Sequence, residues 1–252
     1  MKLINKKICI SALVILFWLL VWHILSLIVG VKYILPSPIA TLQALGQLFL
    51  ESDFYHSIAL SILRVFVGFL VGVVLAAFLA IAAERIKIIE ALFSPIIRII
   101  KSTPVASIII ILWVILGGKN VPIAISALMV IPIIWQNVRD GFAAIDPRME
   151  EVGLVYGFGY FKRLQLIVIP TIAKFLFTGV ITSSGLAWKA GIAAEIICMT
   201  KSSIGKHIYD AKYVLDAPSM YAWTAVVVVL SLIIEKLIIK FIGAVGKNVY
   251  RS

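Results

Sequence analysis

The chain has 252 residues, of which 62% are hydrophobic and 14% are charged, and its formal net charge is +11. A soluble domain of this length needs more polar surface than this composition provides, so a soluble globular fold is excluded. The positive charge alone could suggest a nucleic-acid partner, but nucleic-acid-binding domains are far less apolar, and we expect none. Long uncharged runs instead predict an all-α, polytopic membrane protein, because about 20 apolar helical residues cross a hydrocarbon core roughly 30 Å thick.

Six apolar runs are predicted to cross the membrane as helices, since only a helix satisfies its own backbone polar groups within one span in lipid. In chain order they cover residues 8–29, 58–83, 102–116, 121–138, 171–199 and 221–242. The first run follows three lysines, as a signal peptide would. It is longer than a signal-peptide core and no cleavage site follows it, so we expect a retained anchor.

Two shorter segments are predicted to lie at the membrane surface. Residues 86–100 place Lys87, Glu90 and Arg98 among isoleucines, a pattern typical of an amphipathic helix at the inner surface. Residues 37–50 predict a short helix on the outer side, with a proline near its first turn. No long linker or repeat interrupts the chain, so residues 1–252 are expected to form a single transmembrane domain.

The basic residues indicate how the chain is oriented. With the amino terminus in the cytoplasm, sixteen of the 23 lysines and arginines fall on the inner side, five on the outer side and two within spans. Cytoplasmic loops of membrane proteins carry an excess of these residues. Both termini are therefore expected in the cytoplasm, with the loop between spans four and five on the same side.

Motifs for catalysis and for nucleotide binding are missing from the sequence. No G-x-x-x-x-G-K-[ST] phosphate loop is present, so this chain is not expected to bind ATP through that device. The histidines, cysteines and carboxylates show no metal-ligand spacing and no catalytic set, so we expect neither a metal site nor an enzyme. A membrane enzyme with acidic residues at the inner surface stays a weak alternative.

The stretch EEVGLVYGFGYFKRLQLIVIP, residues 150–170, is a charged, glycine-rich segment between two apolar runs. Asp146 and Pro147 predict the start of a short helix, with Glu150 and Glu151 in its first turns, where the helix dipole favours acids. Glycines at 157 and 159 are expected to end it. A second short helical piece, 160–166, should follow before Pro170 opens span five. From the residues alone this segment is either a docking element for a partner or a connector lying on lipid.

The spacing within this stretch matches a known motif. Glu151-Val152-Gly153 is followed by three residues and Gly157, then by nine residues and Ile167-Val168-Ile169-Pro170. This resembles the E-A-A-x3-G-x9-I-x-L-P loop of binding-protein-dependent ABC importer permeases, with Val-Gly replacing Ala-Ala and Ile169 replacing Leu. Further segments resemble the nitrate/sulfonate/taurine subfamily over nearly the whole chain: LPSP at 35–38, SILRVFVGFLVG at 61–72, STPVASIIIILWVILG at 102–117 and GLAWKAGIAAEII at 185–197.

The resemblance implies a fold, a function and a set of partners. The fold would be that of a type I ABC importer permease (MetI-like) with six transmembrane helices, in the cytoplasmic (inner) membrane. A cytoplasmic ABC ATPase would bind the ATP, and a solute-binding protein would deliver the solute from outside. Residues 147–166 would be the coupling loop on the ATPase. Since each chain has one such loop and the ATPases are two, a homodimer is the simplest assembly.

The same resemblance implies which residues couple this chain to the ATPase. They are Glu150, Glu151, Gly153, Leu154, Gly157, Phe158 and Pro170.

Charged and hydroxyl residues within the spans are the candidates for the solute pathway, because intramembrane charge is costly and marks pathways or ion pairs. They are Arg64, Thr182, Ser183, Ser184, Lys189 and Glu195. From the residues alone, Arg64 and Glu195 either pair with each other or line the pathway, and helix packing explains the hydroxyl residues equally well.

Lys189 stands where the resembling family is usually apolar, which makes it the candidate for a solute-specific contact. The excess of positive charge favours a small anionic solute such as a sulfonate, taurine or nitrate. The alternative is a stand-alone secondary carrier or channel, which should show paired repeats; the two halves of the sequence show none.

Overall fold

The structure, a computed structural model, describes residues 2–249 of the chain, and side chains at residue 10 and at 12–244. Its helices are α1 (Lys2–Val29), α2 (Pro38–Leu48), α3 (Ser52–Arg85), α4 (Lys87–Ser102), α5 (Val105–Leu116), α6 (Val121–Ala143), α7 (Pro147–Val155), α8 (Tyr160–Arg163), α9 (Ile169–Ile197), α10 (Ile204–Tyr213) and α11 (Ala217–Val249). A π-helical turn, Leu164–Val168, joins α8 to α9. Residues 2–249 contain no strand, which confirms the all-α prediction.

Four helical stretches among the described residues are long and apolar enough to cross a membrane. They are Ala12–Val29, Ser52–Arg85, Val121–Ala143 and Tyr160–Ile197. These correspond to expected spans one, two, four and five, and expected span six lies within the 33-residue helix α11.

Expected span three differs from its prediction. Helix α5 has only 12 residues, about 18 Å of helix, and is too short to cross alone. It meets α4 at a bend of 110°, so α4 and α5 together count at most as one broken span. With that pair included, five candidate spans are found among the described residues, whereas six were expected. The bend falls at Thr103 and Pro104, neither of which is helical. A residue that precedes proline avoids the helical conformation, so α4 ends before Thr103.

Helices α3, α6 and α9 form the centre of the molecule, with α6 packed between the other two. The face of α3 that is buried repeats every three or four residues and consists mostly of small side chains: Ser57, Ser61, Val65, Gly68, Gly72, Ala76, Ala80 and Ala83. Gly68 and Gly72 lie against the backbone of α6, where a Cβ would come within 2.2 Å of the Ile123 carbonyl oxygen and 2.7 Å of the Ala127 carbonyl oxygen. Small residues allow this close approach, which membrane helices need in order to pack well.

Helices α2 and α10 both pack against α11, and α10 also packs against α9, at the end of this centre that was predicted to face outward. In α2, the Ser37 hydroxyl accepts a hydrogen bond from the Ala40 amide, which confirms the expected short helix after residue 37. Helix α10 was not predicted; it is a 10-residue helix in the loop between α9 and α11. Helix α1 is joined to the outer side where the Trp22 indole N–H donates to the Pro36 carbonyl oxygen.

The expected break before span five is absent. Residues from Tyr160 to Ile197 form one continuous helical stretch, so the piece 160–166 does not stand apart and Pro170 does not open the span. Proline has no amide hydrogen, and the π turn just before it accommodates this: the Ile169 amide bonds to the Leu164 carbonyl oxygen, five residues back. The π turn therefore carries the helix past the proline.

We expect Gly68→Ala to destabilise the protein by about 1–3 kcal/mol, because the added methyl group overpacks the contact with α6. Gly185→Ala is the matched control: no atom lies within 4 Å of a Cβ at Gly185, and alanine favours a helix. The measurement is a thermal melting curve of each variant purified in detergent. Equal melting curves for the two variants would show that α3 and α6 accommodate the added methyl group without loss of stability.

Candidate functional site

The segment between α6 and α9 begins with a well-capped helix. The Asp146 carboxylate accepts a hydrogen bond from the Arg148 amide at 2.9 Å, and Pro147 occupies the first position of α7, as predicted. Glu150, in the first turn, forms an ion pair with Arg163 of α8. Glu150 therefore holds the two arms of this segment together.

Helix α7 ends in a Schellman motif built on two glycines. The Gly157 amide donates to the Leu154 carbonyl oxygen at 3.1 Å, and the Phe158 amide donates to the Gly153 carbonyl oxygen at 2.7 Å. Gly157 has a φ of +65°, which a residue with a side chain adopts only under strain. Gly153 is buried beneath the Phe158 ring, which would lie 3.3 Å from a Cβ at that position. Gly157 thus allows the turn, whereas Gly153 leaves room for the Phe158 ring.

The outer surface of this segment is apolar and open. Leu154, Val155 and Phe161 are 79%, 84% and 81% exposed, and Glu151 is exposed beside them. At nine residues, about 13 Å, α7 is too short to cross a membrane. The Arg85 side chain of α3 donates to the Tyr160 hydroxyl at 2.9 Å and fixes the segment to the transmembrane centre. A large apolar surface with a charged rim is typical of a protein–protein contact.

Pro170, a predicted coupling residue, lies apart from this exposed surface. It is in the first turn of α9, beyond the π turn, where it shapes the helix and does not belong to the exposed segment.

Arg64 and Glu195 form an ion pair across α3 and α9, at 3.3 Å. Glu195 is 0% exposed and Arg64 is 13% exposed. Arg64 also donates to the carbonyl oxygens of Lys201 and Ser202, both at 3.1 Å. Of the two alternatives that the sequence left open for these residues, the structure shows the pair. Glu195 is enclosed and does not reach an exposed surface.

The second oxygen of Glu195 joins α10 to the same contact. It accepts hydrogen bonds from the Ser61 hydroxyl at 2.8 Å and from the Gly205 amide at 3.2 Å. The Ser61 hydroxyl in turn accepts the Ile204 amide at 3.0 Å. A carboxylate at the start of α10 is stabilised by the helix dipole, and it satisfies an amide that has no partner within the helix. We call Arg64, Glu195, Ser61 and Gly205 the outer ion-pair network.

The hydroxyl residues predicted for the pathway separate into two groups. Ser183 and Ser184 are buried, and their hydroxyls donate back to the Val180 and Ile181 carbonyl oxygens of the same helix. These two positions are therefore part of helix packing and not of an exposed pathway. Thr182 faces outward instead.

A polar stripe runs along the exposed face of α9. Its members are Lys174, Thr178, Thr182 and Lys189, spaced four, four and seven residues apart, with Leu186 on the same face. Thr182 and Lys189 were predicted from the sequence as pathway residues, whereas Lys174 and Thr178 were not. The spacing of these polar residues was the signal that could have found them.

A groove lies beside this stripe. It is a cavity of about 480 Å³ lined by Ile100, Lys101, Thr103, Val105, Met129, Pro132, Ile133, Gln136, Asn137 and Leu186. Gln136 and Asn137 of α6 are polar residues within a transmembrane helix that the sequence analysis did not single out. The groove and the stripe lie on the same side of the transmembrane centre, and both include polar side chains.

Comparison with known proteins identifies relatives of the chain. Residues 68–243, more than two thirds of the chain, match the family described as "Binding-protein-dependent transport system inner membrane component". A protein of Bacillus subtilis named as an aliphatic sulfonates transport permease is 25% identical, covering 75% of this chain and 68% of its own. A bicarbonate transport system permease of Synechococcus elongatus is 28% identical, covering 80% of this chain and 77% of its own. A nitrate import permease of Synechocystis is 27% identical, covering 82% of this chain and 78% of its own.

A solved structure shares the fold. The "Crystal structure of an amino acid ABC transporter with histidines" superposes with a TM-score of 0.62 at 15% identity, covering 78% of this chain and 94% of that chain.

We expect Arg64→Met to destabilise the protein by about 3–5 kcal/mol, because it leaves the buried Glu195 carboxylate without its cation. Adding Glu195→Gln to that variant should recover part of the loss, since the carboxylate charge is then gone. Lys212→Met, an exposed lysine on the same side, is the control. Thermal melting in detergent measures all three. If Arg64→Met melts with the control, the ion pair contributes nothing to the fold.

Proposed function

The chain belongs to the family of binding-protein-dependent transport system inner membrane components, and on that premise we propose that the solute it carries is a small anion such as a sulfonate. The chain is the transmembrane permease subunit of an ABC importer, a multi-pass protein of the inner membrane. It works with an ABC ATPase and a solute-binding protein, and it is not itself an enzyme. Family membership sets aside the stand-alone carrier.

The observation that carries the anion proposal is the position of Lys189. Its side chain lies on the exposed face of α9, and none of the ion pairs described in the structure includes it. An ammonium group is costly in contact with lipid, so this face belongs in an aqueous pathway. Arg64 is partly committed, because it pairs with Glu195 and donates to two carbonyl oxygens. Lys189 is thus a cation available to a passing solute.

The names of the relatives support the same solute class. Sulfonates, bicarbonate and nitrate, which appear in the names of three relatives, are small anions. They share a negative charge and differ in size and shape. The proposal therefore extends to the charge of the solute, of which a sulfonate is one example.

We further propose that two copies of the chain face each other across this polar surface. Thr182 and Lys189 on α9, and Gln136 on α6, are exposed in the single chain at membrane depth. Polar side chains of this kind face a protein neighbour or a water-filled cavity in membrane proteins. A homodimer would enclose the pathway between the two stripes. In this arrangement both termini lie in the cytoplasm, in agreement with the distribution of basic residues.

The coupling role is proposed for the segment α7–α8. Its open apolar surface, with Leu154, Val155 and Phe161 outermost, is suited to a groove on the ATPase, which would bind the ATP. Arg85 and the continuous helix from Tyr160 connect this surface to the transmembrane centre. Docking there would transmit movements of the ATPase to α9.

Gly157→Val tests the coupling role. We expect the variant to insert and to dimerise, but to lose the stimulation of ATP hydrolysis by loaded binding protein, because valine at a φ of +65° costs on the order of 1 kcal/mol or more and reshapes the end of α7. Gly159→Val is the matched control, since Gly159 has a φ of −64° and no atom within 4 Å of a Cβ. Glu151→Lys changes the exposed charge without touching the turn and should also weaken the association. If loaded binding protein stimulates ATP hydrolysis normally in both Gly157→Val and Glu151→Lys, the segment is only a connector.

Lys189→Leu tests the solute. We expect uptake of the anionic solute by the complete transporter in vesicles to fall by about tenfold, because a charge-assisted contact is lost. Assembly with the ATPase should be unchanged. Lys189→Arg should retain uptake, and Lys212→Leu on the outer helix α10 is the control for general loss of charge. Unchanged uptake by the Lys189→Leu variant would show that the charge of Lys189 does not contribute to solute binding.

A further inference from the structure

A charged cavity between α4 and α6 adjoins the groove beside α9, and Lys101, Pro132 and Gln136 line both. Its volume is about 390 Å³, and it is lined by Glu90, Ser94, Ile97, Arg98, Lys101, Pro132, Trp135, Gln136 and Arg139. Three of these side chains are cationic and one is acidic. The cavity thus has an excess of positive charge and contains more donors than acceptors. We call it the α4–α6 pocket.

Arg139 shows that the pocket is incomplete as it stands. One guanidinium nitrogen, Nη2, pairs with the Glu90 carboxylate at 2.6 Å, and the group lies 5.8 Å from the centre of the Trp135 ring. The other nitrogen, Nη1, is buried, and it alone among the buried side-chain nitrogens and oxygens of the described residues has no hydrogen-bond partner. A buried donor without a partner is costly, so an acceptor is expected beside it. Glu90 Oε1 is paired with Nη2, and no atom of Glu90 is hydrogen-bonded to Nη1.

Helix α4 places this pocket at the surface of the membrane. Its residues Ile88, Leu92, Ile96 and Ile99 are exposed at spacings of four, four and three, which makes one continuous apolar face. Pocket residues Arg98 and Lys101 belong to the same helix. A helix with an exposed apolar face and basic residues lies in the plane of the interface, with the apolar face toward the acyl chains. The 110° bend into α5 gives it that direction relative to the next helix.

We propose that the α4–α6 pocket binds the phosphate of an anionic phospholipid. The phosphate oxygens would accept from Arg139 Nη1, while Arg98 and Lys101 supply the positive charge around it. The acyl chains would lie along the apolar face of α4. A free anion would use the pocket but not this face, so the two features together favour a lipid.

The proposal does not depend on which solute is carried. Basic pockets between helices on the cytoplasmic side are suited to anionic headgroups, and the basic residues of this chain place the pocket on that side. Glu90 has a positioning role here: its ion pair with Arg139 directs the guanidinium and joins α4 to α6. Occupation of the pocket would therefore fasten the interfacial helix to the transmembrane centre.

The test is native mass spectrometry of the purified permease–ATPase complex in detergent, titrated with phosphatidylglycerol or with phosphatidylcholine of the same acyl chains. We expect retention of phosphatidylglycerol over phosphatidylcholine. The double variant Arg98→Gln/Lys101→Gln, at exposed positions where folding is not at risk, should weaken phosphatidylglycerol retention by about tenfold. Arg139→Lys keeps the charge but loses the second guanidinium nitrogen, and it should weaken retention less than the double variant. Lys87→Gln removes a lysine of the same helix outside the pocket and should change nothing.

Three results would overturn the proposal. Equal retention of the two lipids would show that no anionic headgroup is recognised. Undiminished retention of phosphatidylglycerol in the double variant would place the lipid elsewhere on the protein. Displacement of phosphatidylglycerol by millimolar inorganic phosphate would assign the pocket to a small anion, because a lipid held also by its acyl chains resists such competition.

Discussion

The close packing of α3 against α6 is the constraint on which the rest of the structure depends. In lipid, helices gain little hydrophobic energy from meeting each other, so their association rests on van der Waals contact and hydrogen bonds. Gly68 and Gly72 allow the backbones to touch, and the small residues that follow on α3 continue this contact toward the cytoplasm. Only at that distance can the Arg64 and Ser61 side chains of α3 reach Glu195 on α9, beside α6. The central helices thus determine where polar groups can meet.

The polar groups of this membrane protein fall into two classes for the same reason. Some are enclosed and satisfied, as in the outer ion-pair network, where Glu195 accepts from three partners. Others, such as Thr182 and Lys189, remain on an exposed face. The first class holds helices together. The second class lies on a single face of α9, which in the proposed homodimer would line a pathway shared by the two chains.

Much of this arrangement could be predicted from the sequence, and the failures have physical causes. Hydropathy located the apolar runs because lipid imposes helices, and the spacing of residues 146–170 located the cytoplasmic segment down to its glycine turn. Span three was predicted too long because the break before Pro104 was not weighed against the apolar run. Neither the π turn before Pro170 nor helix α10 has a hydropathy signal. The burial of Ser183 and Ser184 depends on how α9 is rotated about its axis, which a single sequence does not reveal.

The unbroken helix from Tyr160 to Ile197 gives the molecule a mechanical link between its two ends. Its 38 residues span roughly 57 Å, more than the thickness of the hydrocarbon core. One end lies in the cytoplasmic segment, where Arg163 is held by Glu150, and the far end carries Glu195. A rigid rod of this kind turns a small tilt at one end into a displacement at the other. The π turn interrupts the regular hydrogen bonding of this helix, so Leu164–Val168 is the place where the helix would bend first.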